Sequence, residues 1–400
     1  MAMIEGLTHL GLGKVDDGRT LLPRVLPGEE IEVTQDGTVR IITPSPDRVT
    51  APCRHFKTCG GCAMQHATDD FVADWKMDIV QRALSAQRIK TTFRNVLTSP
   101  PQSRRRAKIA GKRTKGGAML GFHAKGTHNL VATPNCQLLT QGIMAAFPIL
   151  EKLVVIAASR KAEIALTVTE TAAGLDVYVD TEMTLTPELR QTLAVFAQEN
   201  GIARLVWPTE PVVTMNPPEQ FFGTTRVTPP AGAFLQATKH GEASLLAAVE
   251  EITAQANRIV DLFSGCGTFA LPLSARAEIH AVEGDSNMVA ALDRGWRGGR
   301  NLKRITSETR DLYRRPLEPD ELLKFDAAVI DPPRAGAEAQ IATLAVSAIN
   351  IIGMVSCNPV TFARDALSLE KAGFTLNWVQ VVDQFRWSPH VEMVGNFTRL

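Results

Sequence analysis

No stretch of the 400-residue chain approaches the roughly 18 to 20 apolar residues that cross a bilayer, which excludes a helical membrane protein. Met1-Ala2-Met3-Ile4-Glu5-Gly6 lacks a basic segment followed by an apolar one, so no secretory signal is visible and the cytoplasm is expected. Internal repeats and low-complexity tracts are absent as well. Acidic side chains are missing between Asp78 and Glu151, a stretch that holds twelve lysines and arginines, including Arg104-Arg105-Arg106. The whole chain carries only +1, so its charge is segregated rather than large. Segregation favours a polyanion partner, whose counterions a basic surface releases; a merely solvated basic face is the plain alternative.

A dinucleotide fingerprint is also lacking. Asp261-Leu262-Phe263-Ser264-Gly265-Cys266-Gly267-Thr268 holds G-x-G without the third glycine, so NAD is not supported. The shorter turn, with Glu283 closing the next strand, suits a nucleoside without a pyrophosphate. Glycine lets the backbone approach the ligand, and the Glu283 carboxylate suits two ribose hydroxyls. S-adenosylmethionine is the candidate, against the alternative that the glycines only shape a turn.

What the chain does have organises it into three parts. A hydrophobic content of 44% supports a large core and two or three domains. Residues 1–50 read as a small OB-like β-barrel, with turn signals at Asp17-Gly18, Pro27-Gly28 and Asp36-Gly37. Residues 51–230 read as an α+β unit. It opens with a helix from Asp69 to about Ser85, capped by Thr68, with Phe71, Trp75, Ile79 and Leu84 at helical spacing. The proline-rich stretch Pro208 to Pro230 reads as a connector. Residues 231–400 alternate strand, loop and helix, the pattern of a doubly wound α/β sheet.

Six cysteines divide by position. Cys53-x5-Cys59-x2-Cys62 and the distant Cys136 suit a metal or cluster better than disulfides in a chain without a secretion signal; spacing alone fits zinc and iron–sulfur equally. Cys357, in Ser356-Cys357-Asn358-Pro359, follows an apolar strand, where an open α/β sheet places catalytic groups, and precedes a helix whose N-terminus favours a thiolate. Asp331-Pro332-Pro333-Arg334 holds a carboxylate rigidly at a strand end, and Glu392 in His390-Val391-Glu392 supplies another.

Taken in order, these motifs resemble the S-adenosylmethionine-dependent RNA uracil-5 methyltransferases, specifically the iron–sulfur branch acting on 23S ribosomal RNA. The resemblance runs from Leu26-Pro27-Gly28-Glu29 through the cysteines to His390-Val391-Glu392. It implies a Rossmann-like methyltransferase domain (231–400), an N-terminal OB/TRAM-like RNA-binding barrel (1–50) and a central iron–sulfur and RNA-binding domain (51–230). Cys357 is then the nucleophile toward uracil carbon 6, Glu392 the base for the carbon 5 proton, and Asp331 a group between cofactor and uracil. Gln236, Phe263, Gly265, Thr268, Glu283 and Asp311 join Asp331 on the cofactor side. Cys53, Cys59, Cys62 and Cys136 match a [4Fe-4S] site, with zinc as the other occupant. The expected partner is RNA, 23S over transfer RNA, with no membrane and no obligatory protein partner. A non-catalytic iron–sulfur RNA-binding protein is the alternative of a different class. Arg386 stands where the family commonly has proline.

Overall fold

The computed structural model describes every residue except Asp36 and Leu400, so the turn expected at Asp36-Gly37 lies partly outside the described residues. The N-terminal part forms a five-stranded antiparallel sheet in the order Leu21–Pro23, Leu12–Val15, Ala2–Leu7, Glu30–Val33, Val39–Thr43. Alternation along these strands turns Ile4, Val15 and Ile31 inward, where they meet Val25 in a small separate core.

The middle of the chain builds a seven-stranded sheet from Leu130–Ala132, Ala118–His123, Arg106–Arg113, Glu163–Thr171, Gly174–Asp180, Ile202–Val206 and Pro211–Thr214. Only Gly174–Asp180 and Ile202–Val206 pair in parallel, and the helix Pro187–Glu199 makes the crossover between them. The proline-rich connector turns out to be partly ordered into strands. Pro211 opens the edge strand, a position that needs no ladder N–H, and Gln220–Phe222 pairs with Thr225–Val227 as a hairpin.

The last sheet has nine strands and is doubly wound, as the alternating pattern led us to expect. Ile305–Thr309, Glu278–Glu283, Arg258–Leu262, Ala327–Ile330 and Ile351–Ser356 lie side by side and parallel. Glu392–Thr398 then pairs antiparallel between Ile351–Ser356 and Thr375–Asp383. Chain order reverses between Arg258–Leu262 and Ala327–Ile330, the switch point where such sheets open a crevice at their carboxyl ends.

Residues 69–98 belong to this sheet in space. Thr92–Phe93 and Leu97–Thr98 extend it beside Thr375–Asp383, and Val80, Leu84 and Ile89 enter its main core. Helix Asp69–Ala86 starts where expected, with the Thr68 hydroxyl accepting the Phe71 N–H. Its buried face is Val72, Trp75, Lys76, Val80 and Leu84, displaced from the stripe Phe71, Trp75, Ile79, Leu84. The displacement comes from Lys76, which periodicity counts as polar and the fold turns inward. No helix among the described residues is long and apolar enough to cross a membrane.

Candidate active site

Four parallel strands deliver the expected residues to one edge. Arg258–Leu262 ends in the glycine loop, Glu278–Glu283 in Glu283, Ala327–Ile330 in Asp331, and Ile351–Ser356 in Cys357. Phe263 has φ 61°, a left-handed conformation costly for a non-glycine residue, and Gly265 and Gly267 follow with φ 55° and 95°. The chain thus turns sharply enough for the Gly265 N–H to reach Glu283 Oε2 at 3.0 Å, while the Asp285 N–H donates to Oε1 at 3.0 Å. Each carboxylate oxygen keeps a lone pair for a ligand hydroxyl. The Phe263 ring lies 5.4 Å from that of Tyr313, and the Tyr313 N–H donates to Asp311 Oδ1 at 3.0 Å. Thr268 stands half-buried, and Asp311 is exposed.

Asp331 and Glu392 are joined through two glutamines. Gln236 Nε2 donates to Asp331 Oδ2 at 3.3 Å, and Gln236 Oε1 accepts from Gln384 Nε2 at 2.5 Å. Gln384 Nε2 also donates to Glu392 Oε2 at 3.0 Å, while its own Oε1 accepts the Ala237 N–H at 2.8 Å. The backbone around Gln236 is fixed by Arg105, whose Nε donates to the Gln236 carbonyl at 3.2 Å and whose Nη2 pairs with Glu242 at 2.5 Å. Gln384 was not among the residues read from sequence. It carries no motif of its own and gains its role only by facing Gln236 and Glu392.

Burial raises both carboxyls. Asp331 is pushed up to about 7 by burial, and Glu392 well above the usual carboxylate range, first by burial and then by the Asp331 charge. The Gln384 hydrogen bond and Arg334 offset part of this at Glu392.

Cys357 sits half-buried just ahead of Asn358, which caps the helix Pro359–Lys371 by accepting the Val360 N–H at 3.1 Å. Asn358 Nδ2 donates to the Arg334 carbonyl at 2.9 Å, so the two motif turns are tied together. The helix end does not leave Cys357 with an acidic thiol, contrary to the sequence expectation. Burial, then the Glu392 and Asp331 charges, push the thiol up to about 11, and Arg334 and a backbone N–H recover only part. The cysteine precedes the cap residue Asn358, and desolvation outweighs what the helix end contributes. Its thiol faces a cavity of about 530 Å³ that also touches His9, Lys14, Arg82, Arg334 and His390.

The model for tRNA (uracil-5-)-methyltransferases matches residues 300–398, which hold Asp331, Cys357 and Glu392. An RNA methyltransferase of Brucella suis, itself uncharacterised, is 38% identical over 393 residues, covering 97% of this chain and 95% of that protein. The chain belongs to the RNA uracil-5 methyltransferase family. Such enzymes depend on S-adenosylmethionine. The 23S rRNA (uracil(1939)-C(5))-methyltransferase RlmD of Halomonas elongata is 29% identical, over 98% of this chain and 87% of that one. The fold matches that of the Pyrococcus abyssi tRNA (uracil-54, C5)-methyltransferase, solved with S-adenosyl-L-homocysteine, with a TM-score of 0.76 at 20% identity, covering 100% of this chain and 99% of that one.

In this methyltransferase the four N-terminal-half cysteines line a second cavity, of about 400 Å³. Among the described residues, no three His, Cys, Asp or Glu side chains are gathered as a ready metal site. The local backbone nevertheless explains the first glycine of Cys59-Gly60-Gly61-Cys62: a Cβ on Gly60 would stand 2.8 Å from the His123 carbonyl oxygen. Burial raises the Cys59 and Cys136 thiols, and takes Cys62 up to about 12, with the neighbouring thiols adding to each.

The basic segment is less free than its composition implied. Arg105 is buried, Arg94 pairs with Glu251 at 2.6 Å, and Lys108 with Asp180 at 2.8 Å. Lys112, Lys115 and Lys125 remain exposed.

Proposed function

We propose that this methyltransferase modifies carbon 5 of a uridine in 23S ribosomal RNA, with Cys357 as nucleophile and Glu392 as base. The observation that carries the reading is the convergence of Cys357, Asp331 and Glu392 at the carboxyl edge of one sheet, beside a cavity with basic walls. The likeness to the Halomonas RlmD supports the ribosomal target. RNA is attracted by the cationic rim, and the base must leave its stack to reach the thiol.

Cys357 Sγ adds to uracil carbon 6 after losing its proton, and the ring becomes an enolate nucleophilic at carbon 5. S-adenosylmethionine supplies the methyl group that carbon 5 takes. Glu392, ionised, removes the carbon 5 proton; the carbon 6–sulfur bond then breaks and the thiolate leaves. Once ionised, a carboxyl raised by burial is a stronger base than an exposed glutamate. Glu283 holds ribose hydroxyls, Phe263 and Gly265 shape the cofactor side, and Thr268 and Asp311 complete it. Asp331 stands between the cofactor side and the base, oriented by Gln236.

Cys53, Cys59, Cys62 and Cys136 fit a [4Fe-4S] cluster by donor chemistry, since four thiols border a cavity with room for more than a single ion. Its role is structural, tying Cys136 to the start of the central segment.

The test is a denaturing gel after incubation with S-adenosylmethionine and labelled 23S RNA containing 5-fluorouridine. Fluorine cannot leave as a proton, so the protein stays bonded to RNA, and Cys357→Ala abolishes the band. A band with transfer RNA only would keep the chemistry and move the target. No band with either, from protein that binds the cofactor, would remove Cys357 from its role.

A further inference from the structure

The segment Gln384–Val391 joins two strands whose last register pair is Val382 with Glu392. It therefore carries Gln384, which touches Glu392, and His390, which lines the Cys357 cavity. Beneath its neck lies Lys76 Nζ, from helix Asp69–Ala86. The ammonium donates to Asp383 Oδ1 at 2.5 Å, to the Phe385 carbonyl at 3.0 Å and to the His390 carbonyl at 2.9 Å. An ammonium has three N–H donors, so each is used. Lys76 and Asp383 side chains are both 0% exposed. An apolar pair would be cheaper to bury, so stability alone gives no reason for charges here. What the pair supplies is direction: three acceptors at both ends of one loop meet at one point.

The rest of the loop is held from the same side. Arg386 pairs with Asp69 in the first turn of that helix and donates to the Ser99 carbonyl at 3.1 Å. The Trp387 carbonyl accepts the Ala63 and Met64 N–H groups at 2.7 and 3.0 Å.

We propose that Lys76 is a positioning residue for methyl transfer: by clamping both ends of the Asp383–His390 loop it sets Glu392 and its partner Gln384 at the height needed to reach the carbon 5 proton. This rests on Glu392 being the base. Loss of the clamp then slows the step after methyl transfer, while substrate binding is spared.

The test pairs Lys76→Met with Asp383→Asn, which removes both buried charges together and keeps an acceptor for the Phe385 N–H, which donates to Asp383 Oδ1 at 3.1 Å. Unmodified 23S RNA and S-adenosylmethionine are the substrates, Glu392→Gln runs in parallel, and thermal melting confirms folding of each variant. The expected result is a kcat lower by about 10- to 100-fold, since small misplacements of a reacting group cost that much, with KM falling alongside it and kcat/KM kept, because the slowed step follows adduct formation. A methylated protein–RNA adduct should accumulate on denaturing gels, as it should with Glu392→Gln. A folded double variant that forms no adduct, or turns over at the normal rate, while Glu392→Gln does accumulate it, would overturn the role of Lys76 and leave Glu392 as base. Full turnover by Glu392→Gln would overturn both.

Discussion

Cys357 and Cys62 border two cavities that share Pro389 and His390, and burial pushes both thiols up, to about 11 and about 12. Their second neighbours differ. Around Cys357 the added charges are the carboxylates Glu392 and Asp331, opposed by Arg334. Around Cys62 they are other thiols, Cys136, Cys59 and Cys53. A raised thiol therefore does not by itself mark a structural cysteine. Beside two carboxylates it suits a group that loses its proton only as it attacks. Among three further thiols it suits ligands that lose theirs to a metal.

The sharpest way to break this comparison is to exchange the losses. Cys357→Ala should lower methylation by about 10⁴-fold or more, because a covalent route has no substitute nucleophile, and should leave iron content unchanged. Tritium transfer and iron analysis on one preparation check both. Next in size, Glu392→Gln should slow turnover by about 10²- to 10⁴-fold. The same change should stabilise the protein at pH 8. Between the unfolded carboxyl value and its raised folded value, the native state holds a proton that the unfolded state has lost, so stability falls as pH rises through that window. The amide escapes that loss, so Tm should rise by about 2–4 °C at pH 8, with the gain vanishing below the unfolded carboxyl value. Calorimetry at pH 8 and pH 4 tests the sign.

On the proposed [4Fe-4S] assignment, Cys62→Ala should remove iron and lower Tm, with cofactor affinity unchanged by titration calorimetry; a protein that carries no iron, or keeps it in this variant, would end the comparison on the metal side. The smallest effect is expected for Gln384→Leu. Its amide lowers the Glu392 carboxyl, so losing it should move the ascending limb of the pH–rate profile alkaline by about 0.5 to 1 unit.

Much of the last sheet was legible because its signals are local. Ala327–Ile330 falls where expected, Arg258–Leu262 ends at the glycine turn, and Pro359 opens its helix. The proline-rich connector misled because Pro211 tolerates an edge strand, and edge position is set by neighbours rather than by sequence. The buried face of helix Asp69–Ala86 misled for a related reason: Lys76 is polar in any periodicity count, yet its three acceptors lie at residues 383, 385 and 390.

By itself, then, the order of residues determined the doubly wound class, the strand-end location of Asp331 and Cys357, and the four-cysteine set, whereas Glu392 reaches the same edge only because its strand pairs antiparallel. Strand alternation, turn glycines and helix caps act over a few residues and are written where they act. Only the tertiary structure decided the Gln236–Gln384 link between the carboxyls, the clamp at Lys76, the shared wall of the two cavities and the upward shift of Cys357. Each depends on desolvation and on charges brought together from distant segments, and those energies exist only once the chain has folded.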